Sequence, residues 1–339
     1  MAESSQQVTP QRIMQMAWAY SLPLAIESGV KHRVFDTLDA GPKTLDELVS
    51  KTGTSHRGLR ALLNMLVSIE LLTRDGQGRY ALAPEAAAFL VSTKPSFQGG
   101  IFRHISTQLI PNWLHLDEIV RTGKPATAVN DSNPGAEFFA NFVEDIFALS
   151  YGAAQMLGRT MNLAGANKPV RVLDIASGSG VWGIALAQQS KQVQVTAVDW
   201  AGVLPVTKRS ADKHGVGGQF KLLEGDIGTV DFGTGYNIAT LGHILHSEGE
   251  QRSRNLIKRV FAALAPGGTI AIQEFVANDT RTGPPNAMIF ALNMLVNTEE
   301  GDTFTFPEMS GWLKDAGYAR IRQLESPGPS PLILADKPG

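Results

Sequence analysis

Short amphipathic helices dominate the hydrophobic pattern of the first hundred residues. Apolar side chains recur every three or four positions in the first stretch, where Pro23 is expected to kink or end the helix: Ile13, Met16, Ala17, Tyr20 and Leu24. Thr44 and Glu47 form a capping box for a later helix. Residues 71–82 predict a hairpin around an Asp-Gly turn. Helices followed by a hairpin indicate a winged-helix unit, which we place at residues 1–98.

The pattern changes within the remaining residues, 99–339, which we treat as a second domain. Helical spacing continues to about residue 165 around a loop at Thr122–Pro134, and one aromatic stretch is interpreted as core packing rather than as a ligand-lining surface: Phe138, Phe139, Phe142, Ile146 and Phe147. From Lys168 onward, short apolar strands alternate with helices, the pattern of a doubly wound parallel sheet. The predicted strands are 170–175, 193–198, 220–223, 236–241 and 269–275, followed by an antiparallel pair at 320–325 and 332–335.

Composition restricts what this chain of 339 residues is expected to bind. Its net charge of −2 gives no electrostatic reason to expect nucleic acid or an anionic membrane as a partner. It contains no cysteine, which excludes disulfides and thiolate zinc sites, and we expect no metal cofactor. The first ten residues are polar and no apolar run is long enough for a bilayer span. We therefore expect a cytoplasmic protein.

The strongest chemical signal is a glycine-rich loop between a predicted strand and a predicted helix, Asp174-Ile-Ala-Ser-Gly-Ser-Gly180. Glycines permit a tight turn and a close approach to a ligand, and the start of the helix supplies free N–H groups. Asp199 ends the next strand, 19 residues after Gly180. A carboxylate in that position can accept both hydroxyls of a ribose. The combination predicts a nucleotide-type cofactor.

Two cofactors compete for this loop, NAD(P) and S-adenosylmethionine. The dinucleotide fingerprint requires Gly-x-Gly-x-x-Gly, whereas the loop reads Ala-Ser-Gly-Ser-Gly-Val-Trp-Gly. Asp174 would oppose two phosphates, but it suits the amino group and the sulfonium of S-adenosylmethionine. The residues resemble the Asp-x-Gly-x-Gly-x-Gly pattern of class I methyltransferases, with Ala176 replacing the first glycine. A methyl group there is expected to need only ordinary backbone angles, so S-adenosylmethionine is the predicted cofactor.

Further landmarks of that family follow in order. Gly225-Asp226-Ile227 resembles the step whose acid lies near the adenine, 264–268 resembles the turn before the fifth strand, and 312–318 resembles the helix end before the last strands. The resemblance implies a Rossmann-like domain with an antiparallel last strand. It also implies these cofactor-binding residues: Asp174, Ala176, Ser177, Gly178, Asp199, Trp200, Gly225, Asp226, Ile227 and Leu241.

The winged-helix start and this domain together resemble the plant-type O-methyltransferases and their bacterial small-molecule relatives. In that group the N-terminal unit is a dimerisation domain, so the resemblance implies a homodimer and a small, flat, hydroxyl-bearing methyl acceptor. The family motif Ile-Leu-His-Asp-Trp is matched at 244–246, which implies that His246 is the general base, although Ser247-Glu248 replaces Asp-Trp. Glu274 follows 28 residues later and matches the acid that holds this histidine.

This pair of residues suits the chemistry of methyl transfer to oxygen. The transfer is an in-line displacement, so alignment accounts for most of the work. A phenol is a poor nucleophile until its proton leaves, and an unperturbed histidine, with a pKa near ~6.5, can accept that proton at neutral pH. A carboxylate on the other ring nitrogen fixes the tautomer and stabilises the imidazolium.

Several acceptor-side positions remain open. The second acid of the family would fall at Thr303, beside Asp302, and His243 is either a second pocket histidine or a buried one. Four residues lie where the family places its acceptor pocket, with helix core as the equal alternative: Phe275, Met288, Asn293 and Met294.

Two other functions are compatible with these patterns. Because the Asp-Trp pair and the second acid are missing, the same fold could methylate nitrogen or carbon, or use the cofactor without net methyl transfer. A winged helix could instead belong to a ligand-sensing DNA-binding regulator with Ser55–Ile69 as its recognition helix. That helix has only Arg57 and Arg60 as basic residues among many leucines, which favours a protein interface.

Overall fold

The structure is a computed structural model that describes residues 8–125, 132–140 and 142–339, without the side chains of residues 132–135. The predicted loop at Thr122–Pro134 and the polar N-terminus therefore lie partly outside the described residues. The chain divides into two compact units, Met1–Pro111 and Asn112–Gly339. The division falls after Pro111 rather than after residue 98, because the helix Gly100–His104 packs against the helix Ser21–Lys31 of the first unit.

Unit 1 is mostly helical. Its elements are α1 (Gln11–Trp18), α2 (Ser21–Lys31), α3 (Val34–Asp39), α4 (Leu45–Thr52), α5 (His56–Ser68), β1 (Leu72–Arg74), β2 (Tyr80–Leu82), α6 (Pro84–Phe89), α7 (Gly100–His104) and a π-helical turn (Ile105–Leu109), and α8 (Ile110–Trp113) spans the unit boundary. The predicted hairpin is confirmed, since β1 pairs with β2 in antiparallel register. A core of buried apolar side chains joins these helices to the hairpin: Phe35, Leu48, Leu59, Leu63, Leu66 and Tyr80.

The helix ends of unit 1 follow their sequence signals with one correction. The capping box is present, because the backbone N–H of Thr44 donates to Glu47 Oε2 (2.7 Å) and that of Glu47 donates to Thr44 Oγ1 (3.3 Å). The first helix ends at Trp18, before Pro23, which lies within the first turn of α2. A proline is tolerated there because its missing N–H would have no partner in the helix.

Unit 2 is an α/β domain around a seven-stranded sheet. Its elements are α9 (Leu116–Thr122), α10 (Ser132–Ala140), α11 (Phe147–Thr160), β3 (Val170–Ile175), α12 (Val181–Ala187), β4 (Val193–Asp199), α13 (Leu204–Lys213), β5 (Phe220–Glu224), β6 (Tyr236–Gly242), α14 (Leu245–Ala263), β7 (Leu264–Gln273), β8 (Val276–Ala277), α15 (Pro285–Asn297), β9 (Phe304–Thr305), α16 (Phe306–Asp315), β10 (Ala319–Leu324) and β11 (Leu332–Asp336). The short parallel pair β8–β9 had no signal in the sequence.

The sheet has the strand order β10-β11-β7-β6-β3-β4-β5. Strands β3 to β7 pair in parallel, and β11 is antiparallel to both of its neighbours. Alternate side chains face opposite layers, so that Leu173 belongs to one hydrophobic cluster with α14 and α16, while Val172 belongs to another with α11 and α12. The strand order reverses between β3 and β6, where open α/β sheets bind their ligands beyond the carboxyl ends of the strands.

Among the described residues, no helix is long and apolar enough to cross a bilayer.

Candidate active site

A cavity of about 1030 Å³, including its open mouth, lies at this reversal point in unit 2. Its walls come from the loop after β3, from the ends of β4, β5 and β6, and from the segment before α11. The lining residues are Phe139, Phe142, Val143, Ile146, Ser150, Ala176, Ser177, Gly178, Ser179, Val181, Trp182, Asp199, Trp200, Val203, Gly225, Asp226, Ile227, Gly242, His243, Ile244, Ser247, Glu248 and Arg252. The structure therefore brings together eight of the ten predicted cofactor residues, all except Asp174 and Leu241.

The glycine-rich loop passes along this cavity with left-handed backbone angles. Ala176 has a φ of 51° and Gly178 a φ of 55°. The expectation that Ala176 needs only ordinary angles is therefore wrong. An L-residue with a side chain pays for this conformation through a contact between Cβ and the following carbonyl, a cost of about 1–2 kcal/mol. The loop keeps its shape in spite of Ala176, because neighbouring groups fix it.

Asp174 is one of those groups, and it does not line the cavity. It is 1% exposed, and both carboxylate oxygens have partners within the fold. Thr240 Oγ1 donates to Oδ1 (2.8 Å) and the backbone N–H of Gly183 donates to Oδ2 (2.9 Å). Burial raises the pKa of Asp174 to about 7, against these two hydrogen bonds. The predicted direct contact with a cationic ligand is thus replaced by a structural link between β3, β6 and α12. Leu241, also fully buried, contributes to the core instead.

Asp199 does face the cavity, at the end of β4. Its carboxylate accepts the backbone N–H of Gly178 (2.8 Å) and that of Trp200 (2.8 Å), which ties the glycine loop to the next strand. Burial raises the pKa of Asp199 to about 6, and the two N–H groups oppose that shift. Each oxygen accepts one N–H and retains a lone pair, so the carboxylate can also accept ribose hydroxyls.

Two aromatic side chains and one isoleucine from the region before α11 line the cavity. Phe139, Phe142 and Ile146 all line it, which corrects their interpretation as core residues alone. Phe139 also lies near Trp200, with ring centroids 6.1 Å apart. Phe147 keeps the predicted packing role, because it stacks on His214 at 4.7 Å. The predicted helical spacing is interrupted, because Phe142 and Ile146 lie in turns between α10 and α11. Spacing alone also does not reveal which side chains meet a cavity.

His246 and Glu274 meet beyond the carboxyl ends of two adjacent parallel strands, β6 and β7. Their strands are in register at Gly242 and Gln273, so the residues that follow are brought together. His246 Nδ1 donates to Glu274 Oε2 (2.8 Å), and the backbone N–H of His246 donates to Oε1 (3.3 Å). Burial alone favours the protonated acid, but attraction to the His246 ring and the hydrogen bonds from His246 outweigh burial and lower the pKa of Glu274. In the described residues, His246 Nε2 has no hydrogen-bond partner.

His243 occupies the bend between β6 and α14 and is partly buried against the cavity. Its φ is 56°, and its ring lies between two hydroxyl groups, with Nε2 at 3.0 Å from Ser330 Oγ and Nδ1 at 3.4 Å from Ser150 Oγ. Burial lowers the pKa of His243 to about 4, so the ring is neutral at physiological pH. Its backbone N–H donates to Gln273 O (2.8 Å), which fixes the bend that carries His246.

The position at which the family has a second acid is occupied by Thr303, beside Asp302, and the side chains of both residues already have hydrogen-bond partners. Asp302 Oδ2 accepts from Arg281 Nη1 (2.9 Å), and Thr303 Oγ1 faces the carbonyl of Ala287 (3.4 Å). The backbone N–H of Asp302 still donates to the carbonyl of His246 (2.9 Å). The segment thus supports His246 through its main chain.

A pair of aromatic rings packs on the His246 side chain. Phe275 stacks on Phe290 (centroids 4.1 Å apart), and Phe290 meets the His246 ring edge-on at 4.7 Å. Of the other predicted acceptor-side residues, Met294 is buried and Asn293 Oδ1 accepts from Trp113 Nε1 (2.9 Å). Phe290 was not predicted, because helical spacing alone does not show that α15 turns this side chain toward His246.

The described residues contain no group of three or more metal-ligating side chains. The cavity does contain two charged residues that the sequence analysis did not assign, Glu248 and Arg252. Their spacing of four residues in a helix, directly after His246, was the available signal.

A model of the O-methyltransferase domain matches residues 113–319, more than half of the chain. The chain belongs to the O-methyltransferase family. A model of the O-methyltransferase dimerisation domain matches residues 14–92, so the N-terminal unit is a helical dimerisation domain. This match counts against the hypothesis of a DNA-binding regulator.

Characterised relatives agree with this assignment over almost the whole chain. The methyltransferase is 30% identical to 3-hydroxy-5-methyl-1-naphthoate 3-O-methyltransferase of Streptomyces sahachiroi, across 94% of this chain and 91% of the relative. It is also 30% identical to the tetracenomycin polyketide synthesis 8-O-methyl transferase TcmO of Streptomyces glaucescens, across 97% of both chains.

The solved structure of human N-acetylserotonin methyltransferase in complex with S-adenosylmethionine shares the fold. Its TM-score is 0.84 at 20% identity, with 100% of both chains covered. S-adenosylmethionine is the cofactor of the O-methyltransferase family to which the chain belongs. The residues present fit that cofactor. The glycine-rich loop lets a ligand approach the backbone closely, the carboxylate of Asp199 can accept the hydroxyls of a ribose, and apolar side chains line other parts of the cavity.

We expect Asp199→Ala to weaken the binding of S-adenosylhomocysteine by about 100-fold, because two charge-assisted hydrogen bonds to the ribose are lost. Isothermal titration calorimetry measures this effect. Asp117→Ala, which removes an exposed carboxylate on α9, is the matched control and should bind normally. Equal affinities in the two variants would contradict the assignment of Asp199.

Ala176→Gly should raise the stability of the methyltransferase by about 1 kcal/mol, because glycine adopts φ of 51° without the Cβ contact. Thermal unfolding should show a melting temperature a few degrees higher. Ala185→Gly is the control with the opposite sign, because Ala185 is buried within α12, where glycine costs about 1 kcal/mol. A lower melting temperature for Ala176→Gly would show that the loop does not hold this strain.

Proposed function

We propose that the methyltransferase transfers a methyl group to the hydroxyl of a small aromatic molecule, with His246 as general base and Glu274 as the residue that holds it. The observation that supports this proposal is the geometry of the pair. Glu274 accepts a hydrogen bond from Nδ1–H, so the lone pair of the imidazole lies on Nε2, which can accept a proton. His246 immediately precedes Ser247, which lines the cofactor cavity.

Each group has a distinct part in this reaction. S-adenosylmethionine supplies the methyl group from its sulfonium. His246 Nε2 accepts the proton of the acceptor hydroxyl, so the oxygen attacks with its full lone-pair density. Glu274 stabilises the resulting imidazolium through Nδ1–H, because a charge-assisted hydrogen bond in a buried site strengthens as the ring becomes charged. The apolar walls exclude water from the reacting atoms.

The rings around His246 support an aromatic acceptor. Phe290 meets the base and Phe275 stacks on Phe290, and a flat aromatic molecule packs favourably against such rings at about 4.5–7 Å. One relative is named as a hydroxynaphthoate O-methyltransferase and another as an O-methyl transferase of tetracenomycin polyketide synthesis, which favours a fused phenolic ring system as the acceptor here. An alternative acceptor atom, nitrogen or carbon, would be revealed by the structure of the methylated product.

We expect His246→Ala to lower turnover by about 100-fold or more while the affinity for S-adenosylhomocysteine stays nearly unchanged, since only base catalysis is removed. Methyl transfer to 3-hydroxy-1-naphthoate and related phenols, followed by mass spectrometry, measures turnover. The defect should shrink as the pH rises toward the pKa of the phenol, because the nucleophile then ionises unaided.

Glu274→Gln should give a smaller loss of turnover than His246→Ala, because the amide keeps the shape of the side chain but loses its charge. Asp302→Asn is the control, since this exposed carboxylate is held by Arg281. Full activity of His246→Ala at neutral pH on the best acceptor would exclude His246 as the base. A control defect as large as that of His246→Ala would move the role to the Asp302 segment.

We also propose that the protein is a homodimer that uses α1. No residue of this helix is buried within the single chain. Three of its large apolar residues are mostly exposed: Ile13 (70%), Met16 (60%) and Trp18 (63%). Exposed apolar surface of this extent marks a contact with another molecule. The dimerisation-domain match, residues 14–92, includes most of the helix.

Trp18→Glu should weaken dimerisation by at least about tenfold, because a charge replaces an apolar anchor. Light scattering over a dilution series measures the dimer fraction. Gln15→Glu adds the same charge to the same exposed helix and should leave the dimer intact. A monomeric wild-type protein, or equal effects of the two substitutions, would contradict the proposal.

A further inference from the structure

The second carboxylate of the cofactor cavity, Glu248, has no part in the reaction described above. Its residue is 7% exposed and lines the cavity together with Arg252. Arg252 Nε donates to Glu248 Oε2 (2.6 Å), and the described residues offer no hydrogen bond to Oε1. One oxygen of a nearly buried carboxylate is thus held by the protein, and the other remains available to a ligand.

The backbone after Glu248 explains why this side chain faces the cavity. Gly249 has φ 71° and ψ 174°, a conformation that is essentially restricted to glycine, and it interrupts the first turns of α14. A Cβ at Gly249 would lie 2.7 Å from the carbonyl oxygen of Glu300. The interruption therefore separates the segment 245–248 from the regular part of the helix. Arg252 lies in that regular part, about one turn after Glu248.

Glu248 shares its part of the cavity with Asp226 and Ile227 at the end of β5. Burial is the main cause that raises the pKa of Glu248, Arg252 opposes it, and the negative charge of Asp226 adds to it. Asp226 Oδ1 accepts the backbone N–H of Gly228 (2.6 Å), so this carboxylate is also held in place. Two carboxylates and one guanidinium therefore interact electrostatically where the resemblance to methyltransferases places the adenine.

We propose that Glu248, positioned by Arg252, recognises the exocyclic amino group of the cofactor adenine and makes the site selective for adenine over hypoxanthine. The amino group carries two N–H donors, which two carboxylates can accept. Hypoxanthine carries a carbonyl oxygen in the same place, and it would be opposed by Glu248 and Asp226. The proposal also accounts for the departure from the family motif. Glu248 stands where the motif has tryptophan, so a carboxylate that accepts hydrogen bonds replaces an indole in the lining of the cavity.

A purely structural role is the competing explanation. The same helix carries a second pair of this kind, in which Arg254 Nε lies 2.8 Å from Glu250 Oε1. The Glu250 side chain is 59% exposed and does not line the cavity. A pair that only stabilises α14 would affect the two cofactor analogues equally. A recognition residue changes the ratio of their affinities. The ratio therefore separates the two roles, and it depends on the cofactor alone, not on the proposed base or acceptor.

The experiment compares S-adenosylhomocysteine with S-inosylhomocysteine by calorimetry on the full chain at neutral pH. The wild type should favour the adenine compound by about 100-fold or more, because a site built for a donor leaves its acceptors unpaired against the analogue. Glu248→Gln should reduce this ratio by about tenfold, because its amide can donate to the hypoxanthine carbonyl. Glu250→Gln should leave the ratio at the wild-type value.

A second substitution at the same position keeps the proposal testable if Glu248→Gln does not fold. Glu248→Asp withdraws the carboxylate by one methylene but keeps its charge, and its ratio should fall between those of the wild type and Glu248→Gln. Circular dichroism establishes which variants fold. The proposal is overturned if the ratio of any folded Glu248 variant equals that of the wild type, or if Glu250→Gln lowers the ratio as much as Glu248→Gln does.

Discussion

The catalytic unit depends on the buried carboxylate of Asp174. Its two oxygens join three elements, because one accepts the hydroxyl of Thr240 on β6 and the other accepts the N–H of Gly183 in α12. An anion in such a place is costly, as the raised pKa of about 7 shows, and each hydrogen bond offsets part of that cost. The glycine loop lies between Asp174 and Gly183, which are joined by one of these hydrogen bonds. This constraint helps to hold Ala176 in a backbone conformation that it would otherwise avoid.

The same anchoring extends to the reacting groups. β6 is fixed to β3 by its ladder and by Thr240, and its carboxyl end leads through His243 to His246. The ring of His243 has hydroxyl partners on both sides and stays neutral because it is desolvated. In the proposed reaction, His246 would therefore gain its proton beside one carboxylate, Glu274, and beside a neutral ring rather than a cation. The cofactor cavity and the proposed base are thus placed by adjacent strands of one sheet.

Charge is distributed unevenly along the cavity. Asp199, Asp226 and Glu248 contribute acids, and Arg252 is the cation among the described lining residues. The excess of negative charge suits a cofactor with a sulfonium and an ammonium group, since opposite charges attract more strongly where water is excluded. The acids also differ in their supports, as backbone N–H groups hold Asp199 and Asp226 while an arginine holds Glu248.

The sequence by itself determined the strand and helix pattern, the cofactor loop, and the pairing of His246 with Glu274. These features depend on local periodicity and on residues that directly follow parallel strands, whose ends must meet at one edge of a sheet. The tertiary structure alone decided that Asp174 is buried, that Ala176 has a positive φ, and which of the aromatic side chains line the cavity. Burial and backbone strain arise from the packing of distant segments, and no local pattern encodes the side from which a neighbour approaches.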